Sequence, residues 1–291
     1  MTEMNSTKYY LPSPSGWPIR ASIALLCLLA GVANWLHSHW FGPYLTMLGF
    51  IILIYVIYGW FGTVIQENRE GKLQSHQVER SFILCMLWFI FTEVMFFGTF
   101  FTALFYVRLF VLPDLGGETS ITHILLWPNF QVAWPLMTNP DPSTYIGPLQ
   151  SMGAWGISTI NTFVLLMSGV TVTIAHYSLL KNRRTLMLWA QFVTILLGLT
   201  FLILQLNEYG AAYFEKGLTL ASGIYGTTFF MLTGFHGLHV TIGTIGLMVI
   251  LYRMFKKDFT AQNHFGFVAV SWYWHFVDVI WLLLFVFVYW L

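Results

Sequence analysis

Seven apolar runs, each about the length of a bilayer-spanning helix, dominate this chain: Ile19 to Trp35, Tyr44 to Ile65, Phe82 to Phe105, Trp155 to Leu179, Leu188 to Leu206, Ile224 to Leu251 and Phe267 to Trp290. A hydrocarbon core is crossed by roughly 20 consecutive apolar residues in helical form. Backbone groups in lipid find no water, so such runs must close their hydrogen bonds internally. The fold class that follows is an all-α integral membrane protein with seven transmembrane helices. Composition agrees: 57% of the 291 residues are hydrophobic, 19% aromatic and 9% charged, far from the balance of a water-soluble domain. A formal net charge of +1 offers no field for nucleic acid or an acidic macromolecule.

The cations set an orientation, because short cytoplasmic loops collect Lys and Arg. Alternate segments hold Lys8 and Arg20, then Arg69, Lys72 and Arg80, then Lys181, Arg183 and Arg184, then Arg253, Lys256 and Lys257; the opposite side holds only Arg108 and Lys216. This predicts the N-terminus inside and the C-terminus outside, which requires an odd number of spans. The polar start has no signal-peptide pattern, so the N-terminus is expected to stay where it is made. Trp17, Trp40, Tyr44, Trp60, Trp155, Trp189, Tyr289 and Trp290 near the run ends suit interfacial aromatic belts.

The expected organisation is a cytoplasmic tail over 1–18, a two-helix bundle over 19–65, a charged cytoplasmic loop over 66–81, and a five-helix bundle over 82–291. The last contains a long external loop, 108–153, punctuated by Pro113, Pro128, Pro135, Pro140, Pro142 and Pro148. Trp127 and Trp134 argue against disorder throughout it and predict contact with the membrane surface or a partner. Cys27 and Cys85 lack the paired spacing of thiolate metal sites and read as small core residues.

Few polar groups sit inside the runs. Glu93 lies near the middle of the third with no basic residue within a helical turn. An ionised carboxylate there is costly unless another helix supplies donors, so the expected form is a protonated acid. Either it handles protons or clamps a neighbouring subunit, or it makes a neutral interhelical hydrogen bond. Asp278, three residues after His275, shares a helix face with it, predicting a hydrogen-bonded pair rather than a metal site. His236 and His239 also share a face; Thr233, Gly237 and Thr241 beside them form a small-residue stripe that favours close helix packing over a haem pocket. Structural or lipid-facing histidines are expected. Arg253, Lys256 and Lys257 either mark topology or hold anionic headgroups. Trp60, Glu67 and His76 offer a second mixed polar site at the same interface. The chain carries no nucleotide-binding glycine loop, zincin helix, serine elbow or Cys-rich copper signature.

Three stretches are similar to the C-terminal signature of cytochrome c oxidase subunit III: Gly234 to Val240, His264 to Phe267, and Trp272 to Trp281. Further matches are Trp17-Pro18, Glu93-Val94 with Phe96-Phe97, Asn161-Thr162, Ser168-Gly169-Val170, Ala175-His176, Gln205 and Glu208-Tyr209, so the resemblance is global. It implies helices arranged as a pair and a group of five separated by a lipid-binding cleft. It further implies no haem, copper or other metal in this chain, with haem a and copper in partner subunits I and II. The family function is a non-catalytic subunit that packs on subunit I, retains phospholipids and sustains proton uptake while the complex reduces O2 to water and pumps protons. Cytochrome c is then the donor to the complex, not to this chain.

Carried over by motif, Glu93 is similar to the buried family carboxylate facing subunit I. Trp60, Glu67, His76, His236, His239, Arg253 and Lys256 match or lie near lipid-lining positions. Val268 and Gln66 depart from charged residues common at those two places. The long Pro-rich loop resembles bacterial members of the aa3 type, implying a bacterial inner membrane. Two other readings remain at this point: subunit III of a quinol oxidase or nitric-oxide-reductase-type complex, and a stand-alone transporter using Glu93 and Asp278. Missing inverted repeats weigh against the transporter.

Overall fold

A computed structural model describes residues 14–73 and 75–291. Most of the N-terminal tail, including Lys8, lies outside the described residues. Among the described residues all regular secondary structure is helical: α1 (Trp17–Leu36), α2 (Gly42–Arg69), α3 (His76–Tyr106), α4 (Leu112–Gly116), α5 (Ile121–Leu126), α6 (Ile157–Leu180), α7 (Arg184–Phe214), α8 (Ile224–Phe255) and α9 (Phe265–Leu284). Wider π turns over Val107–Val111 carry α3 into α4, and others over Phe285–Trp290 end α9. Seven of these helical stretches are long and apolar enough to cross a membrane, as the runs predict.

The helices overshoot the apolar runs. The run Leu188 to Leu206 becomes a helix from Arg184 to Phe214, because helical hydrogen bonding continues where hydropathy falls. Glu208 is thereby placed within a helix rather than after one.

The chain divides into two compact units, one ending at Phe82 and one spanning Ile83–Leu291. In the first, α1 and α2 pack through small residues. Gly31 meets the backbone of Thr46, Gly49 that of Leu28 and Gly42 that of Trp35, so close that a Cβ on any of the three would run into main chain. Such contact is how helices adhere in lipid, where apolar side chains gain nothing by leaving one hydrocarbon for another. Trp17 Nε1 donates to Thr63 Oγ1 at 3.1 Å, tying the start of α1 to α2. Cys27 is half-buried and Cys85 exposed, so the expectation of two core cysteines fails for Cys85. A thiol behaves as a small hydrophobe and suits an apolar exterior equally well.

The second unit has a deep core in which Trp274 and Trp281 are fully buried. Gly198 and Gly243 leave room for the Trp274 ring, which a Cβ would approach to 2.9 and 2.8 Å. Each indole N–H is satisfied on α6: Trp274 Nε1 donates to Ser168 Oγ and Trp281 Nε1 to Thr162 Oγ1, both at 2.9 Å. The spans differ sharply in how much of themselves the chain covers. Between 39 and 50% of each of the last four is buried, against 6 to 11% of the first three.

The loop between α3 and α6 rests on this chain's own helix ends. Trp134 stands edge-on to Tyr225 with centroids 5.6 Å apart, and Tyr225 OH accepts the Met152 N–H at 2.9 Å. Asn139 Nδ2 donates to the carbonyls of Tyr145 and Ser222 at 3.0 and 3.3 Å. Arg108 lies over the Trp134 ring at 5.0 Å and donates to the Leu291 carbonyl at 2.9 Å, a cation at a helix C-terminus where the dipole favours it. At the loop surface Asp141 accepts from the Ser143 hydroxyl and the backbone N–H groups of Ser143 and Thr144. These bonds, the Ser143 bond foremost, pull its carboxyl down to about 2.

Candidate functional site

Glu93 owes its position to helical periodicity. α3 buries Phe97, Phe101 and Leu104 along one stripe, and Glu93 is the next position of that stripe toward the N-terminus, four residues before Phe97. Its side chain is only 20% exposed. The donor it needs comes from α8: His239 Nε2 lies 3.0 Å from Glu93 Oε2. The opposite ring nitrogen, Nδ1, is 2.6 Å from the Phe235 carbonyl, and a carbonyl only accepts, so Nδ1 carries a hydrogen. One proton then remains for the Nε2 to Oε2 contact. The pair is either a neutral imidazole with a carboxylic acid or an imidazolium with a carboxylate, and it is neutral overall in both forms. Phe97 stands edge-on to His239 at 5.1 Å, and Phe96 and Tyr273 lie within 6.1 and 6.3 Å of it, closing an aromatic box around the contact.

His236, one turn earlier on α8, is 1% exposed. Its Nε2 donates to the Val277 carbonyl at 3.2 Å, and its ring lies against Trp281 and Phe201 at 5.1 and 5.7 Å. Of the two expectations held for it, a structural or a lipid-facing histidine, this position serves the first: the chain itself encloses the ring.

A second acid and histidine meet on α9 against α6. His275 Nδ1 lies 3.5 Å from Asp278 Oδ2, at the outer edge of hydrogen-bonding distance. Thr173 Oγ1 donates to the Gly169 carbonyl and so accepts from His275 Nε2, 3.2 Å away. Gly169 is required here, since a Cβ would strike Asp278 Oδ2. Sequence reasoning placed these two side chains on one face; the part played by Thr173 and Gly169, about a hundred residues earlier, had no local signal.

A third buried acid was not singled out. Glu208 on α7 is 4% exposed and accepts from Tyr289 OH at 3.1 Å. Tyr209 beside it shares a 2.7 Å hydrogen bond with Thr233. The available signal was an acid next to a tyrosine where an apolar run ends.

The residues expected at lipid surfaces separate into two groups. On the first unit Trp60 is exposed, Glu67 is half-buried seven residues later on the same face of α2, and His76 is exposed at the start of α3. On the second, Lys256 is exposed with Nζ 5.7 Å from the Tyr252 ring. Arg253 is 7% exposed; its Nε lies 3.3 Å from Asp258 Oδ2 and its guanidinium 4.4 Å over Phe259. Gln66 donates to Glu70 at 3.0 Å, and Lys72 Nζ at 2.5 Å, with Gln66, holds the Glu70 carboxyl below its ordinary range. Among the described residues, no three of His, Cys, Asp and Glu are gathered as a metal site.

Fold and site together define a seven-span membrane scaffold in which Glu93, Glu208, His236, His239 and His275 are each held by hydrogen bonds within the chain. The family model of cytochrome c oxidase subunit III matches residues 7–291. Cytochrome c oxidase subunit 3 of Dugong dugon is 41% identical over 272 residues, covering 92% of this chain and 91% of that protein. The human protein of that name is 40% identical, covering 94 and 92%, and that of Rattus norvegicus 41%, covering 92 and 91%. The chain belongs to the cytochrome c oxidase subunit III family. It is a multi-pass membrane protein and a structural subunit of a cytochrome c oxidase, and so works in a complex with other subunits.

Proposed function

We propose that this chain packs on the catalytic subunit I of a bacterial inner-membrane cytochrome c oxidase, holds phospholipid, and sustains proton uptake through repeated turnover. In this arrangement subunits I and II carry haem a and copper, cytochrome c delivers electrons to the complex, and the N-terminus faces the cytoplasm. The observation that carries the reading is the contrast between interior and exterior. Inside, His236, His239, His275, Glu93 and Glu208 are all held in hydrogen bonds or an ion pair within the chain. Outside, the first three spans bury no more than 11% of themselves, leaving apolar surface for lipid and neighbouring subunits.

Glu93 serves in this reading as a neutral clamp between α3 and α8. Lipid headgroups are held by Trp60, Glu67 and His76 on one unit and by Lys256, beside the Arg253 loop, on the other. Arg253 acts indirectly, by fixing through Asp258 the turn that presents Lys256. The test is phospholipid content per haem together with activity over successive turnovers in the purified complex. Lys256→Ala is expected to lower bound phospholipid and shorten active lifetime while the initial rate stays normal, and Arg253→Ala with Lys256→Ala to lower both further. Unchanged lipid content in the double variant would overturn the lipid assignment.

A further inference from the structure

Six cations meet where two membrane-spanning helices end, with one acid among them. The turn from α6 into α7 supplies Lys181, Arg183 and Arg184, and the end of α8 supplies Arg253, Lys256 and Lys257. Arg184 Nη2 donates to the carbonyl of Phe255, the last residue of α8, at 3.3 Å. That bond sets the two groups side by side although 71 positions separate the bonded residues. Asp258 is committed to Arg253, 3.3 Å away. Lys181, Arg183, Arg184, Lys256 and Lys257 are all exposed, and residues 176–190 and 250–270 hold no acid besides Asp258.

Marking topology does not require such a corner, because the orientation rule counts Lys and Arg and is little affected by acids. The connection from α2 to α3, on the same side by that rule, interleaves Arg69, Lys72 and Arg80 with Glu67, Glu70 and Glu79, and Lys72 is paired with Glu70. The corner between α7 and α8 has the cations without that internal balance. Like charges so placed repel one another, and an anion from outside the chain relieves them. Clusters of roughly four to eight Lys and Arg at the ends of membrane-spanning helices, and basic sites between such helices, bind anionic lipid headgroups.

The same helix ends distinguish a lipid from a soluble anion. Leu186 and Trp189 in the opening turns of α7, and Tyr252 and Phe255 in the last turn of α8, are exposed apolar or aromatic side chains beside the cations. A free phosphate or an acidic peptide segment would engage the cations alone, whereas acyl chains also cover the apolar side chains. A phospholipid with a single phosphate sets one charge against five cations. One with two phosphates joined through glycerol offers a phosphate to each helix end.

We propose that the adjoining ends of α7 and α8 form a binding site for a phospholipid with two phosphates, of the diphosphatidylglycerol class. Lys181 and Arg183 hold one phosphate, Lys256 and Lys257 the other, and Arg184 lies between them. The proposal rests on the reading of Lys256 as a headgroup ligand and names the lipid that this part of the chain takes.

The experiment uses the whole complex with diphosphatidylglycerol carrying a photoreactive diazirine on an acyl chain, the adducts being mapped by mass spectrometry. Adducts are expected on residues 184–192 and 248–255, and unlabelled diphosphatidylglycerol should displace them at a severalfold lower phosphate concentration than phosphatidylglycerol does. At about fivefold for each cation removed, Arg183→Gln with Lys257→Gln should weaken labelling about 25-fold. Both side chains are exposed, so the amount of chain in the membrane should not change. Arg80→Gln, which removes a cation from the acid-interleaved connection, should leave labelling as it is. No adduct at these helix ends, undiminished labelling of the double variant, or an equal loss with Arg80→Gln would overturn the proposal. Equal displacement by phosphatidylglycerol would remove the two-phosphate site and leave Lys256 as a headgroup ligand. Unchanged phospholipid content in Lys256→Ala, together with no adduct, would remove that reading as well.

Discussion

Replacing Glu93 separates its two kinds of interaction, because His239 is already locked by its other nitrogen. With Nδ1–H bonded to Phe235, a neutral His239 presents an acceptor at Nε2. Glu93→Gln supplies an amide N–H to that acceptor at the 3.0 Å now spanned by the acid. Interhelical hydrogen bonds in membrane proteins average about 0.6 kcal/mol and reach about 1.7, so an amide that replaces the acid changes stability by less than about 1 kcal/mol. Glu93→Leu leaves His239 Nε2 without a partner inside the aromatic box. An unsatisfied buried polar group costs about 1 to 3 kcal/mol, corresponding to about 5- to 150-fold in the folded-to-unfolded ratio. The assay is reversible unfolding of the chain in mixed micelles, with 15N NMR of His239 reporting which nitrogen is protonated. The expected order is wild type close to Glu93→Gln, with Glu93→Leu well below. A Glu93→Gln variant as unstable as Glu93→Leu, or an imidazolium signal from His239 in the wild type, would refute the neutral clamp and show that the ionised pair is the native form.

Other outcomes follow from packing and surface chemistry. Ser168→Ala removes the acceptor of the buried Trp274 N–H and is expected to cost about 1 to 3 kcal/mol in the same unfolding assay; a loss below about 0.5 kcal/mol would show that the bond contributes little. Gly49→Leu forces α1 and α2 apart where Gly49 meets the Leu28 backbone, and overpacking of this kind costs about 1 to 3 kcal/mol. Faster proteolysis of the α1 to α2 region checks it, and an unchanged rate would contradict the close approach. Asp141 should titrate at about 2 by carboxyl NMR. Because its folded value is depressed, its contribution to loop stability is present above the unfolded value of about 3.9 and is lost as pH falls through about 2. Titration at the ordinary aspartate value would mean the Ser143 and Thr144 bonds do not persist in solution.

The spans were legible because hydropathy and length act locally, and every run contains a helix of the expected kind. The position of Glu93 on the buried stripe of α3 was also present in the sequence as spacing to Phe97, Phe101 and Leu104. Its partner was not: His239 lies 146 residues away, and no local rule connects the two. Glu208 entered only through the resemblance, and was not read as a buried acid because hydropathy ends a run where the helix continues and Tyr289 donates to the carboxyl. The loop over 108–153 showed its tryptophans but not that Trp134 meets Tyr225 on this chain's own α8. Arg253 looked like an available headgroup ligand, and only the return of the chain to Asp258 and Phe259 reveals a buried cation.

The central claim is that this chain supports an oxidase without holding its redox centres. The most direct measurement is purification of the complex through a tag on this chain in mild detergent, followed by dissociation of the subunits and assay of haem and copper in each fraction. The account predicts that a haem-copper subunit I and a copper-bearing subunit II come with the tagged chain, and that all haem and copper stay with those partners after dissociation. A chain recovered alone, or one that retains haem or copper in stoichiometric amount after separation, would contradict it.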